Sequence, residues 1–132
     1  MPRRPRVLIA DDHQAMLDTL VQVLSGECQV VAAVSDGLAA VTAAAQFDPD
    51  LLVLDIAMPG LNGIAAAVQL KARGSTAKIV FVTNLRDSEF VDESLALGSI
   101  GFVVKDRLVS DLLPAIRRVL AGYPFVSPTV LH

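Results

Sequence analysis

Short apolar runs alternate with stretches of helical period along this chain, and that alternation predicts an α/β fold: a parallel sheet with helices on both faces. Two of the runs, Arg6-Val7-Leu8-Ile9-Ala10 and Leu51-Leu52-Val53-Leu54, have almost no polar alternation, as strands buried on both faces require. Each of them stops on acid, the first at Asp11 and Asp12, the second at Asp55 before a Pro59-Gly60 breaker. Ligands and chemistry collect at the carboxyl ends of strands in open parallel sheets, so these three carboxylates are candidate site residues from position alone.

The remaining elements follow in order. After Asp12 the period changes, with Leu17, Leu20, Val21 and Leu24 on one helical face and Ser25-Gly26 as its end. Cys28 to Val34 reads as a second strand. Asp36-Gly37 then opens an Ala-rich helix, with Leu38, Val41 and Ala45 expected inward, which runs to Phe47 and is broken by Asp48-Pro49-Asp50. The third strand ends at Asp55, and a helix from Ile64 to about Arg73 turns Ile64, Ala67 and Val68 inward. Lys78 to Val82 is the fourth strand and delivers Thr83-Asn84. A fourth helix is expected from about Ser88 to Leu97, ending at Gly98. Gly101 to Val104 is a fifth strand and delivers Lys105. Val109, Leu112, Leu113, Ile116 and Leu120 mark the clearest amphipathic helix, with Pro114 near its first turn and Gly122 beyond its end. Tyr123 to His132 shows no period and reads as a tail or the start of a linker. Right-handed crossovers favour a flavodoxin-like, doubly wound five-stranded sheet of order 2-1-3-4-5 with five helices. In that order the first and third strands, those ending in acid, are neighbours at the switch point.

Composition narrows the function classes. One domain of 132 residues buries a single core without a staple, and the one cysteine, Cys28, excludes an intrachain disulfide and sits in apolar surroundings as a packed thiol. Cysteine usage this low fits a reducing, cytoplasmic setting, and no apolar run approaches the ~20 residues of a membrane span, so a soluble protein is expected. A net charge of −3 leaves no basic footprint for nucleic acid in this chain.

Four strand ends together supply Asp11, Asp12, Asp55, Thr83 and Lys105. At ~4–5 Å and an effective dielectric of ~20, each pair of ionised carboxylates repels by about 3–4 kcal/mol, so three converge only if a cation joins them or a proton stays on. A hard divalent ion with oxygen ligands, Mg²⁺, answers that need. Lys105 adds fixed positive charge and Thr83 a hydroxyl, as phosphoryl oxygens require, and a carboxylate held there can be the nucleophile that forms an aspartyl-phosphate. Each residue alone has an ordinary alternative: Asp12 as a helix N-cap, Lys105 as a solvated lysine, Thr83 as a β-branched strand residue. The conjunction of all of them at successive strand ends carries the reading. His13 and His132 have no metal-ligand partner at useful sequence spacing and are assigned no role.

The blocks Ile9-Ala10-Asp11-Asp12-His13, Leu54-Asp55-Ile56-Ala57-Met58-Pro59-Gly60-Leu61-Asn62-Gly63, Val82-Thr83 and Gly101-Phe102-Val103-Val104-Lys105-Asp106 resemble the signature of response-regulator receiver domains in two-component systems. The resemblance spans Val7 to about Gly122. It implies Asp55 as phosphoacceptor; Asp12, Asp55 and the Ala57 backbone carbonyl as Mg²⁺ ligands, with Asp11 acting through water; Thr83 and Lys105 as phosphoryl-binding residues; and Thr83 with Phe102 as the switch. The Asp-Asp-His start and the Val-Ser-Pro ending are similar to the NarL/FixJ subgroup, whose members usually continue into a LuxR-type helix-turn-helix. A receiver over 1–122, with 123–132 as tail or linker to an output domain absent from this chain, is therefore expected. The implied partners are a sensor histidine kinase, a second copy in a phosphorylation-strengthened homodimer, and DNA only through the absent domain. Asn84, Ala57 and Leu85 depart from the common pattern at the mouth of the site and are expected to tune the lifetime of the phosphorylated state. Nothing beyond self-phosphorylation and autodephosphorylation is expected as catalysis.

Rival readings lack a residue each. A phosphatase of the haloacid-dehalogenase type needs an acid two residues after its nucleophile, where this chain has Ala57. A flavin module needs a phosphate loop after the first strand, where Asp11-Asp12-His13-Gln14 would repel a phosphate. A degenerate receiver serving only as a scaffold is disfavoured by the complete set of five residues.

Overall fold

The structure is a computed structural model that describes residues 3–84, 92–93, 97–98 and 100–128. Strands β1 (Arg6–Ala10), β2 (Gln29–Val34), β3 (Leu51–Leu54), β4 (Lys78–Thr83), β5 (Gly101–Val104) and β6 (Phe125–Val126) form one sheet in the order β2-β1-β3-β4-β5-β6. Every pair is parallel. Helices α1 (Gln14–Leu24), α2 (Gly37–Phe47), α3 (Gly63–Ala72) and α4 (Leu108–Leu120) connect them, with a 3₁₀ turn over Lys105–Arg107 before α4. The flavodoxin-like architecture stands, and it differs in detail from the expected five strands and five helices. The sheet has a sixth strand, and the described residues contain four α-helices. The helix expected over 88–97 falls mostly outside the described residues.

The sixth strand comes from the stretch that showed no period, because two residues are too few to display one. Main-chain and side-chain bonds hold it. Phe125 N–H donates to the Ile100 carbonyl at 3.2 Å, Ser127 N–H to the Phe102 carbonyl at 2.9 Å, and the Ser127 hydroxyl to Asp111 Oδ2 at 2.8 Å.

Strand alternation divides the core into two layers. Leu8, Leu52, Leu54, Phe81 and Phe102 face α2 and α3, whereas Val7, Ile9, Val53, Val80 and Val103 face α1 and α4. Each helix buries a face slightly rotated from the apolar period. In α2 the buried residues are Ala40, Val41, Ala43 and Ala44, while Leu38 is 67% exposed and Ala45 is exposed too. In α3 they are Ile64, Ala66, Ala67 and Leu70, and Val68 is exposed. Val21 of α1 and Val109 of α4 also face outward. Alanine is the reason: small side chains let α2 and α3 press close to the sheet, and the larger aliphatic residues are left at the flanks. Pro114 lies in the second turn of α4, beyond the first turn where it was expected, so the helix forgoes one i→i−4 bond there.

Two glycines are required by close backbone approach. A Cβ on Gly37, at the start of α2, would lie 1.9 Å from the Leu61 carbonyl oxygen, and one on Gly63, at the start of α3, 2.1 Å from the Asp55 carbonyl oxygen. The second contact sets α3 directly against the residue that ends β3.

Candidate functional site

β1 and β3 pair in register from Val7 with Leu51 to Ala10 with Leu54, so Asp11 and Asp55 leave the sheet side by side. The Asp55 N–H donates to the Ala10 carbonyl at 2.9 Å, extending that ladder to the site itself. Both acids are buried, Asp11 at 1% exposure and Asp55 at 4%. Lys105, which follows β5, spans them: its Nζ lies 2.8 Å from Asp11 Oδ2 and 3.1 Å from Asp55 Oδ2. The contact with Asp55 is a hydrogen bond as well as an ion pair. Asp11 Oδ2 stands at the shorter of the two distances and is ion-paired with Nζ as well.

The electrostatics follow from this crowding. Burial pushes the Asp55 carboxyl up, the Asp11 charge adds to the rise, and the Lys105 ammonium and the Ala57 N–H oppose it without cancelling it. For Lys105, burial favours the neutral amine, but the hydrogen bonds and charges of Asp11 and Asp55 outweigh burial and hold the ammonium firmly protonated.

The loop after Asp55 is shaped by two local bonds. The Ala57 N–H donates to Asp55 Oδ1 at 3.2 Å, and Gly63 N–H returns to the Ile56 carbonyl at 2.9 Å. Asn62 caps α3, its Oδ1 accepting from Ala65 N–H at 2.8 Å. Ala57 itself is exposed at the mouth, as is Asn84; Leu85 lies outside the described residues. Thr83 is the last residue of β4, fully buried, and pairs in register with Val104, one residue before Lys105. Phe102 is fully buried two residues earlier on the same face, in the layer packed against α2 and α3 and away from the carboxylates. Asp11, Asp12, Asp55 and Lys105 are thus brought together, Thr83 stands at the adjacent strand end, and Phe102 lies beneath.

His13 was assigned no role on sequence spacing, and the structure places it in the cluster. One ligand atom from each of Asp11, Asp12, His13 and Asp55 lies within 4.8 Å of the others. His13 Nδ1 is 3.0 Å from Asp12 Oδ1 and 3.4 Å from Asp11 Oδ1. His13, not Asp12, occupies the N-cap position of α1 and makes no side-chain cap bond. The readable signal was the acid-acid-His triplet at a strand end.

The donor set suits a divalent cation. Three carboxylates against one ammonium leave two negative charges in the pocket, and their oxygens are hard donors of the kind such an ion takes. Cys28, by contrast, is buried away from the site, and burial pushes its thiol up, as in an inert packed residue. Among the described residues no helix is long and apolar enough to cross a membrane.

Residues 7–117 match the response regulator receiver domain. The chain is 30% identical over 129 residues to the transcriptional regulatory protein DegU of Brevibacillus brevis, covering 96% of this chain and 55% of DegU. It is 32% identical over 123 residues to the nitrate/nitrite response regulator protein NarL of Escherichia coli K12, covering 92% of this chain and 57% of NarL. The chain therefore spans a little over half the length of these curated relatives. The crystal structure of a LuxR-family two-component response regulator from an Aurantimonas species superposes with a TM-score of 0.90 at 27% identity, covering 97% of this chain and 93% of that one. With the match running across both acid-bearing strands, the Asp55 loop and Lys105, the chain belongs to the response regulator receiver domain family, in its NarL/LuxR-type branch.

Proposed function

We propose that Asp55 is the phosphoacceptor of a two-component signalling pathway, loaded by a sensor histidine kinase, and that the receiver expected over 1–122 extends through β6 and passes its state to a DNA-binding output domain. The observation that carries this reading is the Lys105 ammonium bridging Asp11 and Asp55 at the buried ends of β1 and β3. In the reaction an Asp55 carboxylate oxygen attacks phosphorus. The P–N bond of a phosphohistidine, or the P–O bond to the acyl group of acetyl phosphate, breaks, and its electron pair leaves with the imidazole or the acetate. Receiver domains bind Mg²⁺ at an acidic pocket, and here Asp12, Asp55 and the Ala57 carbonyl would hold it, with Asp11 acting through water. Bound there, the cation supplies charge neutralisation for the incoming phosphoryl oxygens.

The chain's own residues do the rest. Burial raises the Asp55 carboxyl, and the Asp11 charge adds to it, so the nucleophile is a stronger base than a surface aspartate. Lys105 offers a cation already anchored by Asp11 and free to follow the charge as it passes to phosphoryl oxygens. Thr83, at the neighbouring strand end, offers a hydroxyl, and its movement toward the phosphoryl group is read by Phe102 on the same face. The test is intact-mass measurement after incubation with acetyl phosphate. One phosphoryl is expected with Mg²⁺, none with EDTA and none in Asp55→Asn; a gain that persists in either control refutes the assignment.

Two finer elements of the reading have their own checks. Ala57 and Leu85 offer no polar side-chain group to orient a hydrolytic water, so the phosphorylated state is long-lived, and Ala57→Asn shortens its decay time. Phosphorylation strengthens a homodimer in the cytoplasm. Sedimentation with and without beryllofluoride measures that effect, and Thr83→Ala removes it.

A further inference from the structure

Strand β6 runs beside β5 toward the site, Phe125 opposite Gly101 and Val126 opposite Phe102, and it is held differently at its two ends. Before it the hold is exposed: Arg118 Nε donates to the Pro124 carbonyl at 3.2 Å, and its guanidinium lies 5.5 Å from the centre of the Tyr123 ring. Past its end the hold is buried. Ser127 N–H donates to the Phe102 carbonyl at 2.9 Å, and the Ser127 side-chain oxygen then accepts from Val104 N–H at 3.2 Å, carrying the ladder one step beyond the strand. The same hydroxyl donates to Asp111 Oδ2. Asp111 also takes the Arg107 guanidinium on both oxygens, Nε at 2.9 Å and Nη2 at 3.3 Å. The 3₁₀ turn over Lys105–Arg107 is thereby stapled on either side, at Val104 before it and at Arg107 where it ends, and both staples meet on one carboxylate.

We propose that Ser127 is a positioning residue for Lys105: the docked C-terminal strand holds the backbone from which the ammonium reaches a phosphoryl group on Asp55, and phosphoryl binding in return tightens that strand. The inference rests on the reading of Asp55 as phosphoacceptor. Before loading, the tip of Lys105 is fixed by two buried carboxylates, Asp11 at 2.8 Å and Asp55 at 3.1 Å. Loading moves the Asp55 charge outward onto phosphoryl oxygens. The tip follows that charge, and the backbone at the end of β5 then sets how far it reaches. A site whose cation is correctly placed for part of the time loses apparent affinity by that fraction. With β6 undocked, the Val104 amide loses its acceptor and the turn after it is free to shift; with β6 docked, both are fixed. Coupling between two binding events is reciprocal, so the factor that docking adds to phosphoryl affinity is the factor that phosphoryl binding adds to docking. The bonds of Ser127 go to Phe102, Val104 and Asp111, so its effect on the site passes through the end of β5.

The test uses the whole chain, with beryllofluoride and Mg²⁺ as the phosphoryl mimic. Amide hydrogen exchange by NMR follows Val104, Phe125 and Ser127, whose N–H groups make the bonds at issue. In the wild type their protection, taken relative to the amides of β2 at the opposite sheet edge, should rise about fivefold on saturation with the mimic, the lower end of ordinary coupling between sites. In Ser127→Ala the affinity for the mimic, measured by calorimetry, should fall by about the same factor. Leu24→Ala, buried at the far end of α1, loses stability without touching the network and should keep the wild-type affinity. Relative protection that the mimic leaves unmoved in the wild type, an unchanged affinity in Ser127→Ala, or an equal loss in Leu24→Ala overturns the coupling. Failure of the wild type to bind the mimic at all overturns the phosphoacceptor reading itself.

Discussion

Replacing Ser127 by alanine should loosen the C-terminal segment from the edge of the sheet beside the site. Ser127 is 1% exposed, and its hydroxyl does two things at once: it donates to Asp111 Oδ2 at 2.8 Å and accepts from Val104 N–H at 3.2 Å. Asp111 is held further by Arg107 Nε at 2.9 Å and the Ser110 hydroxyl at 3.0 Å, so it keeps partners when Ser127 is shortened. The Val104 amide, one residue from Lys105, loses its acceptor in a buried setting. A hydrogen bond to a charged group contributes about 1.5–3 kcal/mol and an orphaned buried amide costs about 1–3 kcal/mol; with the remaining Asp111 bonds offsetting part, a loss of about 2–3 kcal/mol is expected. For 132 residues the unfolding entropy of ~2.1 cal/mol/K per residue turns that into a midpoint lower by roughly 7–11 °C. Urea unfolding followed by far-ultraviolet circular dichroism measures it, with the slope unchanged because the same surface is exposed. Acid supplies an internal control. Burial acts to raise Asp111, but the bonds from Arg107, Ser127 and Ser110 and the Arg107 charge outweigh it and hold the carboxyl below its ordinary value. Its contribution is therefore complete above the unfolded value near 4 and is lost as pH falls through the lower folded value, and the Ser127→Ala deficit should shrink over the same range. A deficit under about 0.5 kcal/mol at neutral pH would mean that the network is not what docks β6.

Asp55→Asn should raise the thermal midpoint by a few degrees at neutral pH, because burial first and the Asp11 charge second disfavour the ionised carboxylate in the folded state. A raised folded value costs nothing below the unfolded pKa, so the advantage should disappear as pH falls below about 4; calorimetric scans at both pH values check it, and an advantage that persists in acid refutes the cause. Gly63→Ala should cost about 3 kcal/mol and reduce phosphoryl loading at Asp55, since the new Cβ meets only backbone there: Asp55 O at 2.1 Å, Asp55 C at 2.9 Å and Ile56 Cα at 3.1 Å. Gly26→Ala, in open space, is the matched control in the same denaturant titration; equal stability of the two variants would refute the packing argument.

Strand runs, their order around the switch point and the acids at their ends could be read from the chain because they depend on local composition. A strand buried on both faces must be apolar throughout, so the first acid marks its end, as Asp11 and Asp55 do; that these two acids are themselves buried while Asp12 is exposed could not be read from the chain. Lys105 could be placed for the same reason, being the first polar residue after β5. Other features depended on which small residues let two elements meet, and only the tertiary structure decided them. The apolar period of α2 put Leu38 inward; contact with the sheet chose Ala40, Ala43 and Ala44, because helices approach most closely over alanine. β6 has no sequence period, and it exists because Ser127 and Asp111, sixteen residues apart, satisfy each other across the sheet edge. His13 looked solitary along the chain. Its place among the carboxylates follows from the turn between β1 and α1, where the backbone bond to Asp11 swings the ring toward the acids rather than onto the helix it begins.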